Sequence, residues 1–164
     1  REIPQNMLIL ENKDTFYSMR KCLLSGSEQI CGVVIGTLIY GAGKGILRSF
    51  QDFSLCAEPY MRKQGNVIYY FGDLDYEGIL IYEKLTALFN EEYEIKPFNQ
   101  AYLKMLEKAK QIGIEQLPMA KTGQNQNIST FFWSSFKKEQ VAQMQQILEK
   151  GRYIPQEILS VEDF

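Results

Sequence analysis

The stretch Val67-Ile68-Tyr69-Tyr70-Phe71-Gly72-Asp73-Leu74-Asp75-Tyr76-Glu77-Gly78 joins an apolar run to a cluster of carboxylates. A short aliphatic and aromatic run bounded by glycine reads as a buried strand. Alternation along an extended chain predicts that Asp73, Asp75 and Glu77 point to one side. Crowded acids repel one another and raise their own pKa values, and a divalent cation would relieve that repulsion. Two readings stand for these residues alone. They form either a metal site or a solvated acidic turn that caps the next helix, where Asp and Glu are favoured.

A second acid bears on the choice. Met7-Leu8-Ile9-Leu10 is another apolar run, and it ends in Glu11, followed by Asn12-Lys13-Asp14-Thr15-Phe16. Two strands that each end in an acid and feed a helix are expected to be parallel neighbours. In open α/β sheets, ligands gather outside the carboxyl ends of the strands. Glu11 would then meet Asp73 and Asp75 there. Taken alone, Glu11 also reads as a helix-capping acid; the joint occurrence favours the metal site.

Around these segments the chain alternates strand and helix, which implies a parallel sheet with helical crossovers. The first strand, 7–10, leads to a helix with Phe16, Met19 and Leu23 on one face. Residues 33–40 read as a second strand, and Ile46, Phe50 and Phe53 mark the helix after it. A polar turn is expected over 58–66. After the acidic motif, Ile81, Leu85 and Leu88 stripe a third helix; 93–97 is a short strand, followed by a helix bearing Leu103, Leu106 and Lys110. From Pro118 onward the pattern changes. Residues 121–127 are polar and read as a mobile loop, and Phe131, Phe132, Trp133 and Phe136 read as a hydrophobic seal or, alternatively, as base-stacking aromatics. Residues 137–150 form an amphipathic helix with Val141, Met144 and Leu148 inward.

Composition narrows the chemistry. At 164 residues with 45% hydrophobic content, 10 Phe and 10 Tyr, the chain can build the core of one domain. No apolar run approaches the ~20 residues that cross a bilayer, so no membrane partner is expected. Cys22, Cys31 and Cys56 are an odd, unpatterned set, which suits reduced thiols in the cytoplasm. There is no histidine. That excludes Ser-His-Asp and Cys-His hydrolases and makes a zinc site improbable, whereas Asp and Glu oxygens suit Mg²⁺ or Mn²⁺. Hydrolysis would have to run through metal-activated water. A formal charge of −2 does not describe a generic basic DNA binder. The chain starts at Arg1 rather than Met, which suggests a piece of a longer protein.

Gly41-Ala42-Gly43-Lys44-Gly45 resembles a phosphate loop only in part. Leu38 stands at the first Gly position of a P-loop and Gly45 at its Ser/Thr position. What remains is a strand-to-helix turn whose backbone N–H groups at Gly41 and Gly43, with Lys44, suit a DNA phosphate. The alternative is a tight turn beside a surface lysine.

Glu at the end of a first strand, then Asp-x-Asp-x-x-Gly after a later one, resembles the Toprim domain of topoisomerases, primases and related nucleases. The flanks Leu8-Ile9-Leu10-Glu11-Asn12, Tyr40-Gly41-Ala42-Gly43-Lys44 and Phe71-Gly72-Asp73-Leu74-Asp75-Tyr76-Glu77-Gly78-Ile79 are similar to two groups. One is the topoisomerase VI A subunit with its meiotic relatives. The other, closer group is the C-terminal domain of the nuclease subunit of Wadjet-type plasmid-defence systems. The ending Gly151-Arg152-Tyr153-Ile154-Pro155-Gln156-Glu157 resembles the Wadjet group as well. The resemblance implies a Toprim-type, Rossmann-like α/β fold: a mostly parallel sheet flanked by helices over residues 1–117, with a helical extension, 118–164, packed on the same domain. It implies Mg²⁺- or Mn²⁺-dependent cleavage of DNA, with Glu11, Asp73 and Asp75 catalytic and metal-binding and Glu77 a further ligand. Glu11 serves instead as general base in one version. Implied partners are DNA, an SMC-like ATPase with accessory subunits, and a second copy of the full-length protein. Two other functions fit the same residues: topoisomerase-type cleavage with a tyrosine from a missing N-terminal module, and a non-catalytic scaffold.

Overall fold

The computed structural model describes residues 3–164. Its centre is a sheet of four parallel strands in the order β4-β1-β5-β6, where β1 is Asn6–Leu10, β4 Thr37–Tyr40, β5 Val67–Phe71 and β6 Glu94–Pro97. The two inner strands carry the continuous apolar runs. Met7, Leu8, Ile9 and Leu10 have no exposed surface, nor do Ile68, Tyr70 and Phe71 of β5, as expected of strands covered on both faces. The chain builds β4 on one side of β1 and then crosses to build β5 on the other. The switch point of this Rossmann-like α/β sheet therefore lies between β1 and β5, where such sheets place their ligand crevice.

Helix α1, Lys13–Leu24, starts at Asn12, whose side chain accepts from the Thr15 N–H at 2.9 Å. Between α1 and β4 the predicted single strand over 33–40 is broken. Val33–Val34 (β3) pairs antiparallel with Gln29–Ile30 (β2), and only Thr37–Tyr40 joins the main sheet. The reason is the two-residue turn Cys31-Gly32, both at positive φ (50° and 80°), which is the conformation a tight hairpin requires. The predicted helix through Ile46, Phe50 and Phe53 is also divided, into α2 (Gly45–Ser49), a 3₁₀ turn (Phe50–Asp52) and α3 (Phe53–Cys56). A 3₁₀ turn eclipses side chains three apart, and Phe50 and Phe53 stack at 4.6 Å. All three predicted residues are buried. The polar turn over 58–66 contains a 3₁₀ segment, Pro59–Arg62.

Helix α4, Tyr76–Phe89, lies behind β5 and buries Ile79, Ile81, Tyr82, Leu85 and Phe89. Leu88, predicted on its apolar stripe, is 56% exposed; the buried face turns through Tyr82, Leu85 and Phe89 instead. Helix α5, Asn99–Ile112, buries Ala101, Tyr102, Met105, Leu106 and Ala109. Phe132, fully buried, packs against Tyr102, Trp133 and Phe136 at 5.2–5.3 Å, so the aromatic seal is formed, with Phe131 left half exposed outside it. Helix α6, Lys138–Glu149, buries Met144, Ile147 and Leu148.

The segment after α6 returns to the sheet. Leu74 and Ile154 exchange backbone hydrogen bonds (2.9 and 3.2 Å), and the Phe164 carbonyl accepts from the Cys31 N–H at 3.0 Å. One continuous apolar core runs from Met7 to Leu159. No helix among the described residues is long and apolar enough to cross a membrane.

The facing of α4 can be tested in a pair of substitutions. Leu85→Ala should lower stability by about 2–5 kcal/mol, the usual cost of emptying a buried leucine site. Leu88→Ala should stay within ~0.5 kcal/mol. Denaturant unfolding would reveal the difference, and equal losses would contradict the assigned face.

Candidate functional site

The register of the inner pair brings the predicted acids together. Leu10 lies opposite Phe71, so Glu11 and Gly72-Asp73 leave the sheet side by side; the Glu11 N–H donates to the Phe71 carbonyl at 3.4 Å. Glu11, Asn12, Gly43, Asp73, Asp75, Glu77, Gly78 and Ile81 line one pocket of about 210 Å³ at this edge. Gly72 permits the closeness. A Cβ there would sit 2.6 Å from the Glu11 carboxyl carbon and Oε2 and 2.9 Å from the Tyr70 hydroxyl.

Each carboxylate already has a protein partner. The Tyr70 hydroxyl, fully buried, donates to Glu11 Oε1. Asp73 Oδ1 accepts from the Gln156 N–H at 2.6 Å. Asp75 is the N-cap of α4: Oδ1 accepts from the Gly78 N–H at 2.7 Å, while Oδ2 accepts from Gln124 Nε2 at 3.1 Å. Glu77 Oε1 pairs with Lys44 at 3.2 Å. The strict alternation expected of Asp73, Asp75 and Glu77 does not hold, because β5 ends at Phe71 and Glu77 belongs to the first turn of α4. The capping reading holds for Asp75, and the acids share one pocket.

The electrostatics are those of an undercompensated cluster. Glu11 is raised from 4.5 to about 7, chiefly by burial, with the charges of Asp73 and Asp75 adding and the Tyr70 hydrogen bond opposing. Asp73 is raised to about 6 by burial, opposed by the Gln156 N–H and reinforced by Asp75, Glu157 and Glu77. Burial also pushes Asp75 up. Among the described residues, no three Asp, Glu or Cys side chains stand close enough to hold a metal ion in this arrangement. The donor set nevertheless suits a hard cation: all oxygen, confined to one pocket, and raised in pKa by burial and mutual repulsion. Each carboxylate oxygen carries more than one lone pair, so a hydrogen bond does not exhaust it.

The glycine-rich turn lies at the same edge, with Gly43 in the pocket wall and Lys44 on Glu77. Ala42 and Gly43 have positive φ (52° and 63°). The turn uses its amides differently from the expectation of an open phosphate cradle. The N–H groups of Gly45, Ile46 and Leu47 donate to the carbonyls of Ala42, Gly43 and Lys44, and that of Gly41 to Leu10. Of the two expected amides, that of Gly41 is thus engaged within the fold, while Gly43 lines the pocket and Lys44, with its side chain 73% exposed, pairs with Glu77.

Several contributors were not singled out from sequence. Tyr70 and Tyr102 sit beneath the acids, the latter accepting from the Gly72 N–H at 3.0 Å. Tyr70 follows Ile68 in strand alternation, the available sign that it faces inward. The polar loop expected to be mobile folds back, so that Lys121, Gln124 and Asn125 line a second pocket beside Lys44 and Glu77. Gln156 and Glu157 approach from the far end of the chain.

Fold and pocket together define a Rossmann-like α/β domain with carboxylates at the switch point of its sheet. Within that class, the chain belongs to the family described as the C-terminal part of the Wadjet protein JetD, which matches residues 2–162. Comparison with curated proteins and with solved structures gave no match.

The raised carboxyls predict a pH dependence of stability. Their folded pKa values exceed the unfolded ones, so between about pH 4 and 7 the folded protein binds more protons. The stabilisation from protonated Glu11 and Asp73 is present below pH 4 and is lost as pH rises through 6 and 7. In EDTA, the melting temperature should fall from pH 5 to pH 8, and Glu11→Gln should flatten much of that slope. A slope unchanged by Glu11→Gln would remove Glu11 as its source.

Proposed function

We propose that this domain is the metal-dependent DNA-cleaving part of a Wadjet-type plasmid-defence nuclease, acting by phosphodiester hydrolysis. The single observation that carries the reading is the meeting of Glu11 with Asp73 and Asp75 in one pocket at the switch point. Family membership supports it. In this reading residues 1–117 form a Toprim-type catalytic unit and 118–164 an extension that serves it. Glu11, Asp73 and Asp75 would hold Mg²⁺ or Mn²⁺, with Glu77 available as a further ligand once released from Lys44. When bound, the cation supplies charge neutralisation and Lewis-acid activation for attack on a phosphodiester.

The remaining work falls to the chain's own groups. In the version in which Glu11 serves as general base instead of as ligand, the Tyr70 hydroxyl fixes its orientation through Oε1. Lys44 would contact a backbone phosphate as a mobile point charge. The net charge of −2 makes the isolated domain a weak DNA binder, so the grip on DNA would come from other parts of a multi-subunit assembly that includes an SMC-like ATPase, and from a second copy of the nuclease subunit.

Two experiments test this. The full-length protein with its partners should cut circular DNA only with a divalent cation present. Asp75→Asn should abolish cutting while the fold survives, since Asn also caps helices. Product ends should be free; protein trapped covalently on DNA would instead indicate attack by a tyrosine and overturn the hydrolytic reading. Separately, Lys44→Ala should leave the melting temperature nearly unchanged, as an exposed ion pair contributes little. It should weaken DNA binding and reduce the slope of log affinity against log salt by about 0.9. An unchanged slope would remove Lys44 from the DNA contact.

A further inference from the structure

Gln156 has no exposed surface, and its side-chain amide and backbone N–H are spent at the acid edge. Its Oε1 accepts from the Asn12 N–H at 2.8 Å, directly after Glu11. Its Nε2 donates to the Phe71 carbonyl at 2.7 Å, at the last residue of β5. Its own N–H donates to Asp73 Oδ1 at 2.6 Å. The Leu74–Ile154 bridge lays this C-terminal segment alongside the loop that carries Asp73 and Asp75. Next in the chain, Glu157 bonds the Asn12 side chain.

One buried amide thus spans the ends of both inner strands at the switch point. It sets the spacing between the turn that carries Glu11 and the turn that carries Asp73. The bond to Asp73 engages one oxygen and so orients the other. The side-chain amide makes two of these contacts, one at the end of each inner strand, while the bond to Asp73 comes from the backbone N–H; a glutamine placed merely to satisfy one buried backbone group would not need both side-chain contacts. From this we infer that Gln156 is the positioning residue of the acid pocket: it fixes the turn that carries Glu11 against the end of β5, from which a divalent cation could draw the Glu11 and Asp73 carboxylates together. The C-terminal extension is thereby a working part of the site rather than a cover for the core. This rests on the metal reading of the pocket.

The test is Mn²⁺ binding by the full-length protein, measured by calorimetric titration without DNA. Gln156→Met keeps the side-chain length but removes donor and acceptor. It should raise the half-saturating Mn²⁺ concentration about tenfold or more, the usual effect of losing a group that orients a metal ligand. Met144→Ala, in the buried face of α6, serves as a destabilised control and should leave Mn²⁺ affinity unchanged. Should Gln156→Met fail to fold, Gln156→Leu removes the same donor and acceptor without adding charge to the acid cluster; the same weakening is expected. A folded Gln156 variant with wild-type Mn²⁺ affinity overturns the positioning role while the metal reading stands. Wild-type Mn²⁺ binding that persists in Asp73→Asn/Asp75→Asn overturns the metal reading itself, and the positioning role with it.

Discussion

Everything at the functional edge depends on the parallel register of β1 against β5. Leu10 pairs with Phe71, and β5 buries Ile68 and Tyr70 fully while Val67 and Tyr69 on its other face are half-buried, so a slip by one residue would exchange the fully buried side chains for half-buried ones. The register delivers Glu11 and Gly72-Asp73 to the same point on leaving the sheet. Because the chain switches direction between these two strands, no crossover helix covers that point, and a pocket remains. Gly72 then lets the Glu11 carboxylate lie over the end of β5 where any side chain would displace it.

The cost of this arrangement is electrostatic. Glu11 and Asp73 are pulled from solvent and toward each other, and their pKa values rise as a result. Without a cation, the surrounding protein offsets the charge piecemeal: a tyrosine hydroxyl for Glu11, a backbone N–H for Asp73, a helix N-terminus and Gln124 for Asp75, Lys44 for Glu77. Each of these contacts is modest alone, and they come from distant parts of the chain. Such a cluster favours whatever brings concentrated positive charge, which is the physical basis of the proposed metal dependence.

Much of this was legible from sequence, where the signal was local. Two apolar runs ending in acids sufficed to place Glu11 beside Asp73, because buried parallel strands announce themselves by unbroken hydrophobicity. The strand over 33–40 is divided because a two-residue turn at Cys31-Gly32 draws Val33 and Val34 into a hairpin, and a cysteine at the first turn position lacks the Asn-Gly or Asp-Gly signal of such turns. Leu88 was misplaced because a short stripe of three residues does not fix the angle of a helix to within one position. Gln156 lies within the 151–157 stretch that resembles the Wadjet group, but the stretch carries no local signal of its role, because its bonds are made to residues more than 80 positions away. The polar loop at 121–127 likewise gave no hint that Gln124 would return to Asp75.

The central claim is that the acids at the switch point gather around a divalent cation. The most direct measurement is anomalous diffraction from crystals of the protein grown with Mn²⁺. The account predicts a manganese peak within coordination distance of Asp73 and Asp75, with Glu11 turned toward it. A structure at saturating Mn²⁺ with no peak in that pocket, Glu11 still on Tyr70 and Asp75 still bonded to Gln124, would contradict it.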